Sequence, residues 1–138
     1  LMDLRQSLLE LKSQVKYLAS LKKEDVTHII KSSIYEIENL EVFNEKELKE
    51  LNKVILTNEA FHNLYFKYNK ERLITKGVVY LEEENDLQFL ISLFYFFKQR
   101  VPILLKTNTK LQIQSLDIIQ KFLKENNISG NFLIKIND

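Results

Sequence analysis

Cysteine is absent from this chain of 138 residues, so disulfides, thiolate zinc or iron–sulfur centres and thiol nucleophiles are all excluded. Tryptophan is absent as well, and only one proline, two glycines and two histidines occur. Gly77 and Gly130 alone cannot form a GxGxxG or GxxxxGK[ST] phosphate cradle, which removes the common nucleotide-binding loops. There is no GxSxG elbow for a serine nucleophile. Long hydrophobic runs are missing too. The longest is Leu87–Phe97, eleven residues with only Gln88 and Ser92 polar, whereas a membrane span needs roughly 20. Asp3, Arg5, Glu10, Lys12 and Lys16 interrupt the first twenty residues, so no signal-peptide core is expected there. The lack of cysteine is compatible with a reducing compartment. A soluble, cytoplasmic protein without a membrane partner is the expectation.

What remains is a composition suited to folding. Hydrophobic residues make up 45% and charged residues 28%, with a net charge of only +1. That balance lies outside the disordered class, and the length suits one domain, or one domain with a helical extension. Lysine is strongly preferred to arginine, and alanine occurs only at Ala19 and Ala60. An AT-rich genome produces the same bias, so the lysine excess is not read as a selected feature.

The apolar periodicity divides the chain in two. Leu4, Leu8, Leu11, Val15 and Leu18 step by four and three, which predicts a helix with one narrow stripe, for packing on its neighbours or briefly on a partner. Val26, Ile30, Ile34 and Ile37 predict a second helix over about 23–39. Asn44 with Glu47 resembles a capping box and opens a third through Leu48, Leu51, Val54 and Ile55. Thr57 or Asn58 can cap a fourth that carries Phe61, Leu64, Tyr65 and Tyr68. From about residue 74 the pattern changes. Val78–Leu81 reads as a strand, 86–100 as an apolar helix, and Val101–Lys106 as a strand held to an edge or a strand start by Pro102. Lys110–Gln114 alternates strictly and reads as a strand after a Thr107–Thr109 hairpin loop. Ser115 then caps a helix, and Phe132, Ile134 and Ile136 mark a last strand.

The fold class is therefore α+β, with a helical part over 1–73 and a small α/β part over 74–138, read as one integrated domain. The second part is β-α-β-β-α-β, a split βαβ layer. If Lys110–Gln114 belongs to the following helix, it becomes β-α-β-α-β. A winged helix over about 24–81 is a further parse, with helices near 24–38, 45–56 and 58–71 and a hairpin through Gly77.

Few residues suggest catalysis. Asp25-x-x-His28 and Glu59-x-x-His62 have the i, i+3 spacing of carboxylate–histidine metal ligands, yet both histidines fall off the apolar stripes and the further inward acids are wanting. Glu82–Glu84 and Asp86 sit where a strand gives way to a helix. There, negative charge complements the helix dipole as readily as it would hold Mg²⁺. No metal or cofactor is expected, and no small-molecule substrate is evident.

Two basic clusters carry more weight. Lys67, Lys70, Arg72 and Lys76 interleave with aromatic residues, and Leu87–Leu116 is free of acids while containing Lys98, Arg100, Lys106 and Lys110. Such cations can follow a phosphate backbone. The helix at 87–97 is apolar on all sides, so either the N-terminal helices cover it or a partner does. The expected function is a non-catalytic accessory or adaptor subunit with a protein partner, docking through Leu4, Leu8 and Leu11 or through Phe94 and Phe97, in an assembly that handles nucleic acid. The alternatives are direct DNA or RNA binding and, third, a small metal-dependent enzyme.

Overall fold

The computed structural model describes residues 3–56, 72–75 and 77–136. Four helices come first: α1 (Leu4–Ser13), α2 (Val15–Ala19), α3 (Lys23–Glu38) and α4 (Glu45–Leu56). They are followed by β1 (Arg72–Thr75), β2 (Val78–Glu82), α5 (Asp86–Lys98), β3 (Ile103–Lys106), α6 (Lys110–Glu125) and β4 (Leu133–Lys135). The class is α+β. The strands form one sheet in the order β1-β2-β3-β4, in which β1 is antiparallel to β2 while β2, β3 and β4 run parallel.

Short polar side chains close most helix starts, because the first backbone N–H groups have no partner within the helix. Asp3, Asn85 and Thr109 accept hydrogen bonds from the backbone N–H groups of Gln6, Gln88 and Gln112. The capping box of α4 is present in both directions. The Asn44 N–H donates to Glu47 Oε1 at 3.0 Å, and the Glu47 N–H donates to Asn44 Oδ1 at 2.8 Å. At the other ends, α5 and α6 finish in paired turns with left-handed residues. Arg100 (φ 62°) and Asn127 (φ 58°) take that conformation. The N–H groups of Val101 and Ile128 then reach back to Phe96 and Leu123, at 3.0 and 2.9 Å.

Strand alternation gives the sheet two apolar faces. Val79, Leu81, Ile103 and Leu105 join the main core with α3, α4, α5 and α6, whereas Val78 and Leu104 pack with Leu11 of α1 on the other side. Helix α3 lies against α6, and α4 against α5. The layers therefore run α1, sheet, the α5/α6 pair, then the α3/α4 pair. Helix α5 sits between two layers, and every residue from Phe89 to Phe97 is buried. No helix among the described residues is long and apolar enough to cross a membrane.

Three expectations change. Lys110–Gln114 is not a strand, and there is no hairpin at 107–109; the segment is the first turn and a half of α6. The arrangement from β2 onward is therefore β-α-β-α-β. Thr109, not Ser115, is the cap, and the inward positions are Gln112, Ser115, Leu116, Ile118, Ile119 and Leu123, a helical period. Ile113, one of the two apolar residues in that alternation, is exposed. The N-terminal stripe breaks at Gln14 into two helices, and while Leu11 and Leu18 are buried, Leu4 and Val15 are not. The hairpin through Gly77 is present as β1–β2, with Leu73 opposite Val79. The third helix of the winged-helix parse, at 58–71, lies outside the described residues.

Gly77 has φ 90°, which side chains with a Cβ resist. Gly77→Ala is expected to lower the unfolding free energy by about 1–2 kcal/mol in urea titration. The Ser33 hydroxyl is fully buried in α3 with no hydrogen-bond partner among the described residues. Ser33→Ala should therefore be neutral or stabilising by about 1 kcal/mol. A clear loss of stability would show that the hydroxyl is satisfied.

Candidate functional site

The residues singled out from sequence separate into three groups once they are placed. Lys67, Lys70 and Lys76 lie outside the described residues, and Arg72 falls in β1. The second basic cluster is largely engaged within the protein. Lys98 ends α5 and reaches the end of α4, where its ammonium donates to the carbonyls of Val54 and Ile55 at 2.8 and 2.9 Å. These carbonyls have no acceptor role left within their own helix. Burial, and then the nearby Lys23 charge, pull the Lys98 amine below the ordinary lysine value. Arg100 bridges two turns: Nη1 donates to the Lys98 carbonyl at 2.7 Å and Nη2 to the Leu21 carbonyl at 3.2 Å. Burial lowers its pKa also. Both cations are half-buried and spend hydrogen bonds on backbone carbonyls.

Lys106 and Lys110 stand at the carboxyl end of the parallel strands. Glu82 and Lys106 are register partners on β2 and β3, and Lys106 Nζ lies 3.8 Å from Glu82 Oε2. The Tyr80 hydroxyl donates to Glu82 Oε1 at 2.8 Å. Strand alternation puts Tyr80, Glu82 and Lys106 on the same face as Val78 and Leu104, the face that α1 covers. Lys110 is exposed in the first turn of α6.

Beside this trio is a node that sequence reasoning missed. Gln112 is only 1% exposed, and its amide joins the loops that follow β2 and β3. Nε2 donates to the Glu83 carbonyl at 2.7 Å and to Asp86 Oδ1 at 3.3 Å, while Oε1 accepts from the Asn108 N–H at 2.8 Å. The Thr109 hydroxyl donates to the same Asp86 oxygen at 2.6 Å. Asp86 is thus held by two neutral donors at a helix start. This is an anchoring role, distinct from the dipole and Mg²⁺ roles considered for the acidic run. Open α/β sheets hold ligands at this carboxyl edge.

The apolar candidates also divide. Phe94 and Phe97 are 1% and 3% exposed, and the Phe97 ring stacks on Phe132 with centroids 5.1 Å apart. The internal-cover alternative is the one observed, and neither ring is available to a partner. Leu11 is fully buried and Leu8 half-buried against the sheet, whereas Leu4 is 57% exposed. Leu9, a residue outside the predicted stripe, is 62% exposed.

Of the two acid–histidine pairs, Glu59 and His62 lie outside the described residues. Asp25 and His28 are exposed on α3, and no group of three metal-ligating side chains occurs among the described residues. Lys23, Glu24, Thr27, His28 and Lys31 line an open groove of about 460 Å³ along the first turns of α3.

Lys98→Met removes the donor to two helix-end carbonyls and should cost about 1–3 kcal/mol in chemical denaturation. Gln112→Leu keeps the volume but strands the Glu83 carbonyl and the Asn108 N–H, so a loss of similar size is expected. Equal stability of the Gln112 variant would show that water replaces the amide.

Comparison with protein-family models, with curated proteins and with solved structures finds no match for this chain.

Proposed function

We propose that this chain is a non-catalytic accessory or adaptor module that docks on a larger assembly, one handling nucleic acid, and that α1 is its docking element. The observation that carries the reading is the division of labour on that helix. Leu8 and Leu11 close one face of the sheet, while Leu4 and Leu9 remain in water at 57% and 62% exposure. Isolated exposed leucines are ordinary on a surface. Here half the leucines of a ten-residue helix are exposed while the other half seal a core, so α1 can serve two surfaces at once. Burying both leucines against a partner is worth up to about 3–6 kcal/mol before the costs of association. Exposed lysines nearby, Lys12 and Lys16, supply steering toward an acidic surface.

The test is crosslinking and affinity capture from native cells with a photoreactive residue at position 9, set against one at position 113, where Ile113 is an exposed apolar residue on another helix. Specific crosslinks from position 9, lost in a Leu4→Asp variant of unchanged melting temperature, are the expected result. Crosslinks of equal yield from both positions would count against α1.

A second reading rests on the Tyr80–Glu82–Lys106 trio at the carboxyl edge of the sheet. In that reading a small polar molecule sits over the strand ends, and a lysine held by a carboxylate is its charged contact. A thermal-shift panel of mononucleotides, sugar phosphates and amino acids tests it. Stabilisation that disappears in Lys106→Ala supports the reading, and the absence of any shift overturns it.

A further inference from the structure

The two helices that share the N-terminal leucine stripe are fastened to the protein in different ways. Helix α2 places Leu18 in the main core and is also tied from outside. The Tyr17 hydroxyl accepts from the Ser129 N–H at 2.9 Å, and Arg100 holds the Leu21 carbonyl just beyond the helix at 3.2 Å. Helix α1 has no such tie. Among the described residues, every hydrogen bond of α1 stays within residues 3–14, and none of its side chains forms an ion pair. What holds α1 is the second face of the sheet. Leu11 meets Val78 and Leu104 there, with Leu8 half-buried beside Tyr80, Ile134 and Ile136. This small cluster is separate from the main core that α2 to α6 share.

Local stability follows the buried apolar contacts and hydrogen bonds that join an element to the rest of the molecule, so an element with few of both opens before the whole chain unfolds. We propose that α1 is a hinged cover: it leaves the sheet as one unit about Gln14, the break between α1 and α2, while α2 and the main core stay folded. Gln14 ends α1 without capping α2 through its side chain, so nothing beyond the backbone couples the two helices at that point. A ten-residue helix is marginal alone in water, so α1 melts as it leaves. Opening bares Val78, Tyr80 and Leu104 on the sheet. It also frees Leu4, Leu8 and Leu11, which fall on one side of a helix when a partner refolds the segment. The closed state hides both apolar surfaces at once, and a single motion releases both. This inference does not rest on the docking reading, because the motion is read without any partner.

The absence of cysteine makes one introduced thiol a specific probe. Leu104→Cys and Ile103→Cys place it at adjacent positions of β3 that are 1% and 0% exposed, the first under α1 and the second in the main core. Leu18→Cys places it in α2, also within the main core. Each intact chain is labelled with iodoacetamide in native buffer and followed by mass spectrometry. The thiol at 104 should react roughly tenfold or more faster than those at 103 and 18, and its rate should rise less steeply with urea, because opening α1 exposes less surface than global unfolding. Adding Leu11→Ala should speed labelling at 104 a further 30-fold or so. Each variant's urea midpoint, read by circular dichroism, separates faster opening from lost global stability. Equal rates at 104 and 103 overturn the proposal, since α1 then leaves only when the whole chain unfolds. Indifference of the 104 rate to Leu11→Ala overturns it as well. A rate at 18 that matches the rate at 104 overturns the hinge at Gln14, because α1 and α2 then leave together.

Discussion

Helix α5 has no polar side, and the rest of the structure follows from covering it. An ordinary surface helix needs an apolar arc of somewhat over 100°, which one neighbouring layer can satisfy. With nine consecutive buried residues, α5 needs cover on every side. The parallel strands supply one wall, α3 and α4 the opposite one, and α6 lies alongside. The N-terminal helices are therefore part of the core that the C-terminal strands require. Ile30, Ile37, Leu51 and Val54 share one cluster with Phe89, Phe94 and Leu105. Truncating a ring such as Phe94 in so dense a setting removes both transfer energy and packing, of the order of 3–5 kcal/mol.

Cations next to such a core are used for closing helix ends. The carbonyls of Val54 and Ile55 end α4 beside the apolar wall of α5, and Lys98 reaches them from the last turn of that same helix. Arg100 takes a left-handed conformation that glycine adopts more easily, yet glycine could not reach the Leu21 carbonyl. The acid-free stretch from Leu87 to Leu116 thus owes much of its positive charge to structural needs.

How much of this was legible depended on the length of each pattern. Ile30, Ile34 and Ile37 repeat over several turns, and the Asn44–Glu47 pair is a local signature with a single geometric meaning, so both were readable. Lys110–Gln114 is only five residues long, and five residues can satisfy an alternation of two and a helical period of 3.6 together. The decisive facts there are a threonine cap at 109 and a buried glutamine at 112, and burial of a polar amide is set by the loops it joins. The sequence showed that α5 needed cover on all sides but not what supplied it, because cover is a property of distant segments.

The apolar stretch in α5 has a further consequence before the chain folds. Residues 87–97 carry no charge and no proline, and they include five aromatic rings, a composition prone to intermolecular strand stacking when exposed. On one side stand Glu82, Glu83, Glu84 and Asp86, and on the other Lys98 and Arg100. Charges that bracket an unavoidable apolar run act as gatekeepers, because stacking chains in register would bring like charges together. The acids and cations that cap helices and tie loops in the native state thereby also guard the same segment against self-association while it is unfolded.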